Sequence, residues 1–103
     1  MTAHLLVLYP TPVDAQKFDR AYREEHLPLA GPKLKGATTV LTKRVVGPVF
    51  APPKYHLISD VSFLDIDTLK ACAMSSGGKE ALAHAASISS GGAPMVIVVV
   101  DEA

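Results

Sequence analysis

An α+β fold of order β-α-β-β-α-β is predicted by three features of this chain. Apolar or β-branched runs lie at residues 3–9, 37–46, 55–63 and 95–100. Segments with helical spacing and acidic N-caps follow the first and third of these runs. Proline- and glycine-rich stretches mark the junctions between them. The order implies a four-stranded antiparallel sheet with two helices on one face, the split βαβ or ferredoxin-like arrangement.

Each element has its own justification. AHLLVLY (3–9) is the first strand, and Pro10 and Pro12 mark its exit, since neither suits a strand interior. Asp14 is a candidate N-cap, and Phe18 and Tyr22 lie four residues apart on one helix face. His26 continues that spacing. Pro28 disfavours helical geometry at Leu27, so the helix is expected to end near His26. PLAGPKLKG (28–36) reads as a loop, ATTVLTKRVV (37–46) as the second strand and GPVFAPP (47–53) as a connection. YHLISDVSF (55–63) is the third strand, with Tyr55, Leu57, Val61 and Phe63 expected on one face. Asp65 caps a helix with Ile66, Leu69 and Ala73 as its apolar residues. Gly77 and Gly78 are expected to interrupt it, because each costs about 1 kcal/mol relative to alanine in a helix interior. KEALAHAASI (79–88) resumes the helix, with Leu82, Ala85, Ala86 and Ile88 on its apolar side. SSGGAP (89–94) ends it, and MVIVVV (95–100) is the last strand.

The composition narrows the function classes. The 103 residues suit a single domain spanning 1–103, able to bury roughly two-thirds of its surface. Hydrophobic residues make up 49% and the ten basic residues balance ten acidic ones, which excludes a disordered chain. Lys33, Lys35, Lys43 and Arg44 have no interleaved aromatics, so there is no electrostatic case for nucleic acid. Cys72 is the sole cysteine, which rules out an internal disulfide and any multi-cysteine metal site. No apolar run reaches membrane-spanning length and no secretory signal is visible, so a soluble cytoplasmic protein is expected.

Leu5 to Leu8 and Met95 to Val100 are apolar on both faces, although a sheet covered on one side should alternate. A lone monomer would expose a broad apolar surface. A second copy docked sheet to sheet through a two-fold axis is the simplest cover. The plainer alternative is a pair of central strands with modest exposure.

His26 is the leading chemical candidate. Its imidazole is expected between helix and sheet, where it could exchange a proton with a phenol or an activated carbon. Equally, it could stabilise the helix C-terminus by bonding the last carbonyls. Tyr9, Tyr22 and Tyr55 are candidate hydroxyl partners that could hold a substrate oxygen; packed rings with one satisfied hydroxyl are the simpler alternative. Arg44 could pair with an anionic group or face solvent. His4, His56 and His84 lack metal-ligand spacing, and no metal is implied. His56 and Asp60 are expected on one face, toward the dimer side. Cys72 reads as packing.

Taken together, Tyr9-Pro10 with Pro12, Phe18, Tyr22, the His26-Leu27-Pro28-Leu29 segment, Tyr55, Phe63 and SSGGKEALAHAA resemble the EthD family, named for ethyl tert-butyl ether degradation. The likeness runs over essentially the whole chain, and departs from the family at Lys33–Gly36, where a Leu-Pro-Gly is usual. It implies a dimeric α+β barrel in which two ferredoxin-like subunits pair their sheets. It further implies a homodimer acting on a small hydrophobic molecule, with oxidoreductase chemistry of the cofactor-free monooxygenase kind and no cofactor. His26, Tyr9, Tyr22 and Tyr55 become candidate catalytic residues, and Phe18, Arg44 and Phe63 candidate substrate-binding residues. Cyclase, isomerase or lyase chemistry would use the same groups. A non-catalytic binding or accessory protein serving a partner oxygenase is the alternative from another class.

Overall fold

The computed structural model describes residues 1–102. Four strands, β1 (Ala3–Pro10), β2 (Ala37–Arg44), β3 (Tyr55–Phe63) and β4 (Met95–Val100), form one antiparallel sheet in the order β2-β3-β1-β4. Two helical arms cover one face, giving the ferredoxin-like fold. The first comprises α1 (Ala15–Ala21), a π-helical turn (Tyr22–His26), α2 (Leu27–Ala30) and a 3₁₀ turn (Gly31–Lys33); the second comprises α3 (Ile66–Met74) and α4 (Ser76–Ile88). No helix among the described residues is long and apolar enough to cross a membrane.

Strand register decides which side chains meet the helices. Ala3, Leu5, Val7 and Tyr9 lie opposite Phe63, Val61, Ser59 and Leu57, and all eight are buried. They fall into two adjoining core clusters. Phe63 packs with Ala3, Leu5, Val61, Leu69 and Cys72, while Tyr9 packs with Val7, Phe18, Tyr22, Leu57 and Ala85. β1 therefore alternates buried and half-buried residues, where its sequence looked apolar on both sides. β4 keeps that two-sided character: Met95 through Val100 are all exposed apolar residues along one sheet edge.

The first arm does not stop at His26. It runs on through Pro28, and the π-helical turn is the physical reason. Pro28 has no N–H and its ring crowds the carbonyl four residues earlier, so a regular α-helix cannot pass. Widening the turn, with the Leu27 N–H donating to the Tyr22 carbonyl five residues back, accommodates it.

The second arm breaks at Ser75, two residues before the glycines. Ser75 is extended (φ −71°, ψ 160°), and its hydroxyl accepts from the Gly78 N–H to cap α4. The glycines sit inside the first turn of α4. There a Cβ on Gly78 would lie 1.9 Å from the Cys72 carbonyl oxygen, so only glycine lets the two helices meet so closely.

The β1–β3 register shifts at Tyr9/Pro10: Tyr9 faces Leu57 but Pro10 faces Tyr55, leaving His56 as an extra residue on β3. Pro10 cannot donate to the ladder, and a bulge absorbs the defect. The bulge corrects two expectations. His56 turns to the helix side, 5.6 Å from the Phe18 ring centre and 2.7 Å from Asp19. Tyr55 turns to the open side, its hydroxyl 3.9 Å from Met95 Sδ. Tyr55 thus does not share a face with Leu57, Val61 and Phe63, and His56 does not share one with Asp60.

Candidate functional site

A cavity of about 220 Å³ opens between the sheet and the two helical arms. Its floor is Leu5, Val7, Val61 and Ser59 of the central strands with Val40 and Thr42 of β2. Its walls are His26, Leu27 and Ala30 on one side and Ala81, Leu82 and Ala85 on the other. The small alanines of α4 leave the space that larger residues would fill. Among the described residues no charged side chain lines it.

His26 reaches this cavity because the π-helical turn keeps Phe18, Tyr22 and His26 buried together on one side of the arm. Tyr22 and His26 have ring centres 5.6 Å apart, and Tyr9 meets Phe18 and Tyr22 edge to face at 5.0 and 5.7 Å. His26 is 6% exposed and does not cap helix carbonyls. Its Nδ1 is 2.9 Å from His84 Nδ1, and its Nε2 is 3.4 Å from the Tyr9 hydroxyl. The His26 and His84 rings are nearly parallel, 4° apart in plane.

Hydrogen-bond bookkeeping assigns the protons. Burial pushes the Tyr9 hydroxyl well above the usual phenol range, so it stays protonated. It has no other partner among the described residues and donates to His26 Nε2. The His26 proton must then sit on Nδ1, which donates to His84 Nδ1, leaving the His84 proton on Nε2. Burial, and secondarily the charge of His84, push His26 down to about 4, so it is neutral near pH 7.

At the floor of the cavity, Thr42 Oγ1, at 2.9 Å, and Ser59 Oγ both bond the Tyr22 hydroxyl behind them. Three hydroxyls share two bonds, so one of their three protons has no acceptor among the described residues. The site therefore combines an apolar chamber, a neutral imidazole and a hydroxyl cluster.

The other sequence candidates fall elsewhere. Tyr9 and Tyr22 lie behind the lining, 0% and 1% exposed, and act on the cavity only through His26, Ser59 and Thr42. Tyr55 is on the far face of the sheet. Phe18 packs behind Tyr9 and Tyr22 and borders a different groove, with Val13, Lys17 and Ile88. Arg44 is half-exposed and donates to Asp19, which His56 also holds. Phe63 is fully buried in the neighbouring core cluster. The sequence reading passed over His84, Ser59 and Thr42. His84 stands three residues after Ala81 and four before Ile88, a spacing that places it on the inward flank of α4, but periodicity gives it no partner. Among the described residues no group of three His, Cys, Asp or Glu side chains is placed to hold a metal ion.

No family model and no curated protein matches this sequence. The similarity lies in solved structures. An EthD (ethyl tert-butyl ether d) family protein of Bacillus halodurans C-125 superposes with a TM-score of 0.87 at 25% identity, over 99% of this chain and 100% of that one. An EthD-like protein of Ralstonia eutropha JMP134 superposes with a TM-score of 0.73 at 19% identity, over 95% and 89% of the two chains. A dimeric ferredoxin-like protein of unknown function from Jannaschia sp. CCS1 superposes with a TM-score of 0.69 at 19% identity, over 97% and 98%. The chain is EthD-like in structure across its length.

Proposed function

We propose that this EthD-like chain is a homodimeric acid–base enzyme for a small, uncharged, mostly apolar organic molecule, with His26 handling the proton. The observation that carries the reading is the juxtaposition of a buried, neutral imidazole with an apolar chamber floored in part by the Thr42 and Ser59 hydroxyls. An engineered apolar cavity of about 150 Å³ takes up benzene. A volume of about 220 Å³ accordingly suits one substituted ring or a branched chain of similar bulk. An ionic substrate would lose its hydration there without a charged partner. The substrate would carry a weakly acidic O–H or C–H, and the anion left on deprotonation would be held by the Thr42–Tyr22–Ser59 hydroxyls. Proton removal of this kind is a first step shared by cofactor-free oxygenation, with dioxygen as oxidant, and by cyclisation or isomerisation. The oxidoreductase version is the one the EthD resemblance favours.

Two observations support the homodimer. β4 leaves six apolar residues exposed on both faces, and the Jannaschia neighbour of the same fold is dimeric. A second reading, a non-catalytic carrier of the same ligand, draws on the fact that both His26 nitrogens are already occupied. His26→Ala separates the two. With a panel of substituted phenols as probes, turnover should fall by about 10²- to 10⁴-fold while binding measured by calorimetry persists. Unchanged turnover removes His26 from the chemistry, and binding without turnover in the native protein favours the carrier.

A further inference from the structure

We infer that His84 is the proton conduit of the site, linking the buried His26 to solvent through the Nδ1–Nδ1 hydrogen bond. The inference rests on the acid–base reading of His26 and adds the route by which its proton leaves.

The need to give the buried Tyr9 O–H an acceptor sets the direction. Tyr9, buried on β1, donates to His26 Nε2; His26 Nδ1–H donates to His84 Nδ1 at 2.9 Å; and His84, on the partly exposed side of α4, keeps its proton on Nε2. The 3.4 Å contact to Tyr9 is the longest in the series, so it is the one that a substrate X–H group has to displace to reach Nε2. Transfer then balances in three moves. The X–H bond breaks and its proton joins His26 Nε2, leaving the electron pair on the substrate. The His26 Nδ1–H bond breaks and that proton joins His84 Nδ1. Finally His84, now cationic, releases its Nε2 proton to water. His26 is neutral at the start and at the end.

This arrangement resolves a conflict within the site. A histidine so desolvated is a poor base if it must carry the charge itself. Passing the charge one ring outward places it on a half-exposed imidazole, where water can stabilise it. Among the described residues no carboxylate lines the cavity to do that work from inside.

The test is nitrogen-15 NMR of ring-labelled histidines in the intact protein, which needs no substrate. His26 should appear as the Nδ1–H tautomer and His84 as the Nε2–H tautomer. His84→Gln keeps a hydrogen-bond acceptor for His26 but cannot relay a proton. In that variant the His26 tautomer should persist, while exchange of its ring proton with water slows by about 100-fold, the lower range for a positioned proton-transfer group. A His26 Nε2–H tautomer, or an exchange rate unaltered by His84→Gln, overturns the conduit. These readouts stand apart from turnover: an inert His26→Ala result would remove the acid–base reading and leave the tautomers as measured.

Discussion

The two faces of the sheet use histidine in opposite ways. On the helix side, His26 is surrounded by rings, is kept neutral by burial first and His84 second, and has no carboxylate partner among the described residues. On the open side, His4 sits 2.8 Å from Asp60 and 3.0 Å from Asp101, and hydrogen bonds to Asp60 and then Asp101 raise its affinity for a proton. Burial pushes the Asp60 carboxyl up, but hydrogen bonds from Lys43 and His4 outweigh it and hold the group below its usual range. One face thus encloses a desolvated, apolar chamber around a neutral imidazole. The other is an apolar surface crossed by a fixed ion-pair cluster, which suits a contact with defined register. A titratable residue type carries no role by itself; the charges and water around it assign one.

The contrast can be broken most heavily in the shared core. Phe63→Ala, at a fully buried position on the helix side, should lower unfolding stability by about 3–5 kcal/mol in urea titrations. The comparable truncation Leu41→Ala, on the open face and 52% exposed, should cost the isolated subunit far less. A loss as large as that of Phe63→Ala would mean that the open face is covered by a partner under the conditions of measurement.

Ile97→Asp comes next. Ile97 pairs with Leu6 on the open face and is 38% exposed. If two copies meet there, the buried carboxylate should weaken the dimer by about 2–3 kcal/mol, roughly 100-fold in Kd, seen by sedimentation velocity. An unchanged sedimentation coefficient would place the dimer contact elsewhere.

The smallest effect sharpens the comparison through pH. The unfolded chain protonates His26 near 6.5 but the folded chain only near 4, so between those values the unfolded state holds more protons and stability drops as the pH is lowered. His4 has the opposite sign. Its folded value is raised, so its contribution is full below about 6.5 and is lost as pH rises through the folded value. His26→Phe should therefore flatten the acid side of the stability profile, and His4→Gln the alkaline side. If His26→Phe leaves the acid side as steep as before, the desolvated neutral histidine is not its source.

Much of this could be read from the chain. The element order, the β3 and β4 bounds, the Asp14 and Asp65 caps and the inward stripe of Phe18, Tyr22 and His26 follow from local chemistry: backbone-capping carboxylates, β-branching and spacing along a helix. Three features escaped it. Pro28 argues for a helix stop on local grounds, yet packing of Leu27 and Ala30 against the core favours continuation, and the π-helical turn is how both demands are met. Alternation assigns Tyr55 to the wrong face because it assumes an unbroken ladder, and the bulge opposite Pro10 depends on which strand lies beside it. His84 looks like one polar residue on an alanine-rich helix, 58 positions from His26.

The sequence by itself determined the fold class and the element order, because propensity, capping and periodicity are short-range. Only the tertiary structure decided what His26 touches and which way Tyr55 points. Those depend on strand register and on two helical arms meeting across the sheet, and such contacts between distant residues leave no mark on local spacing.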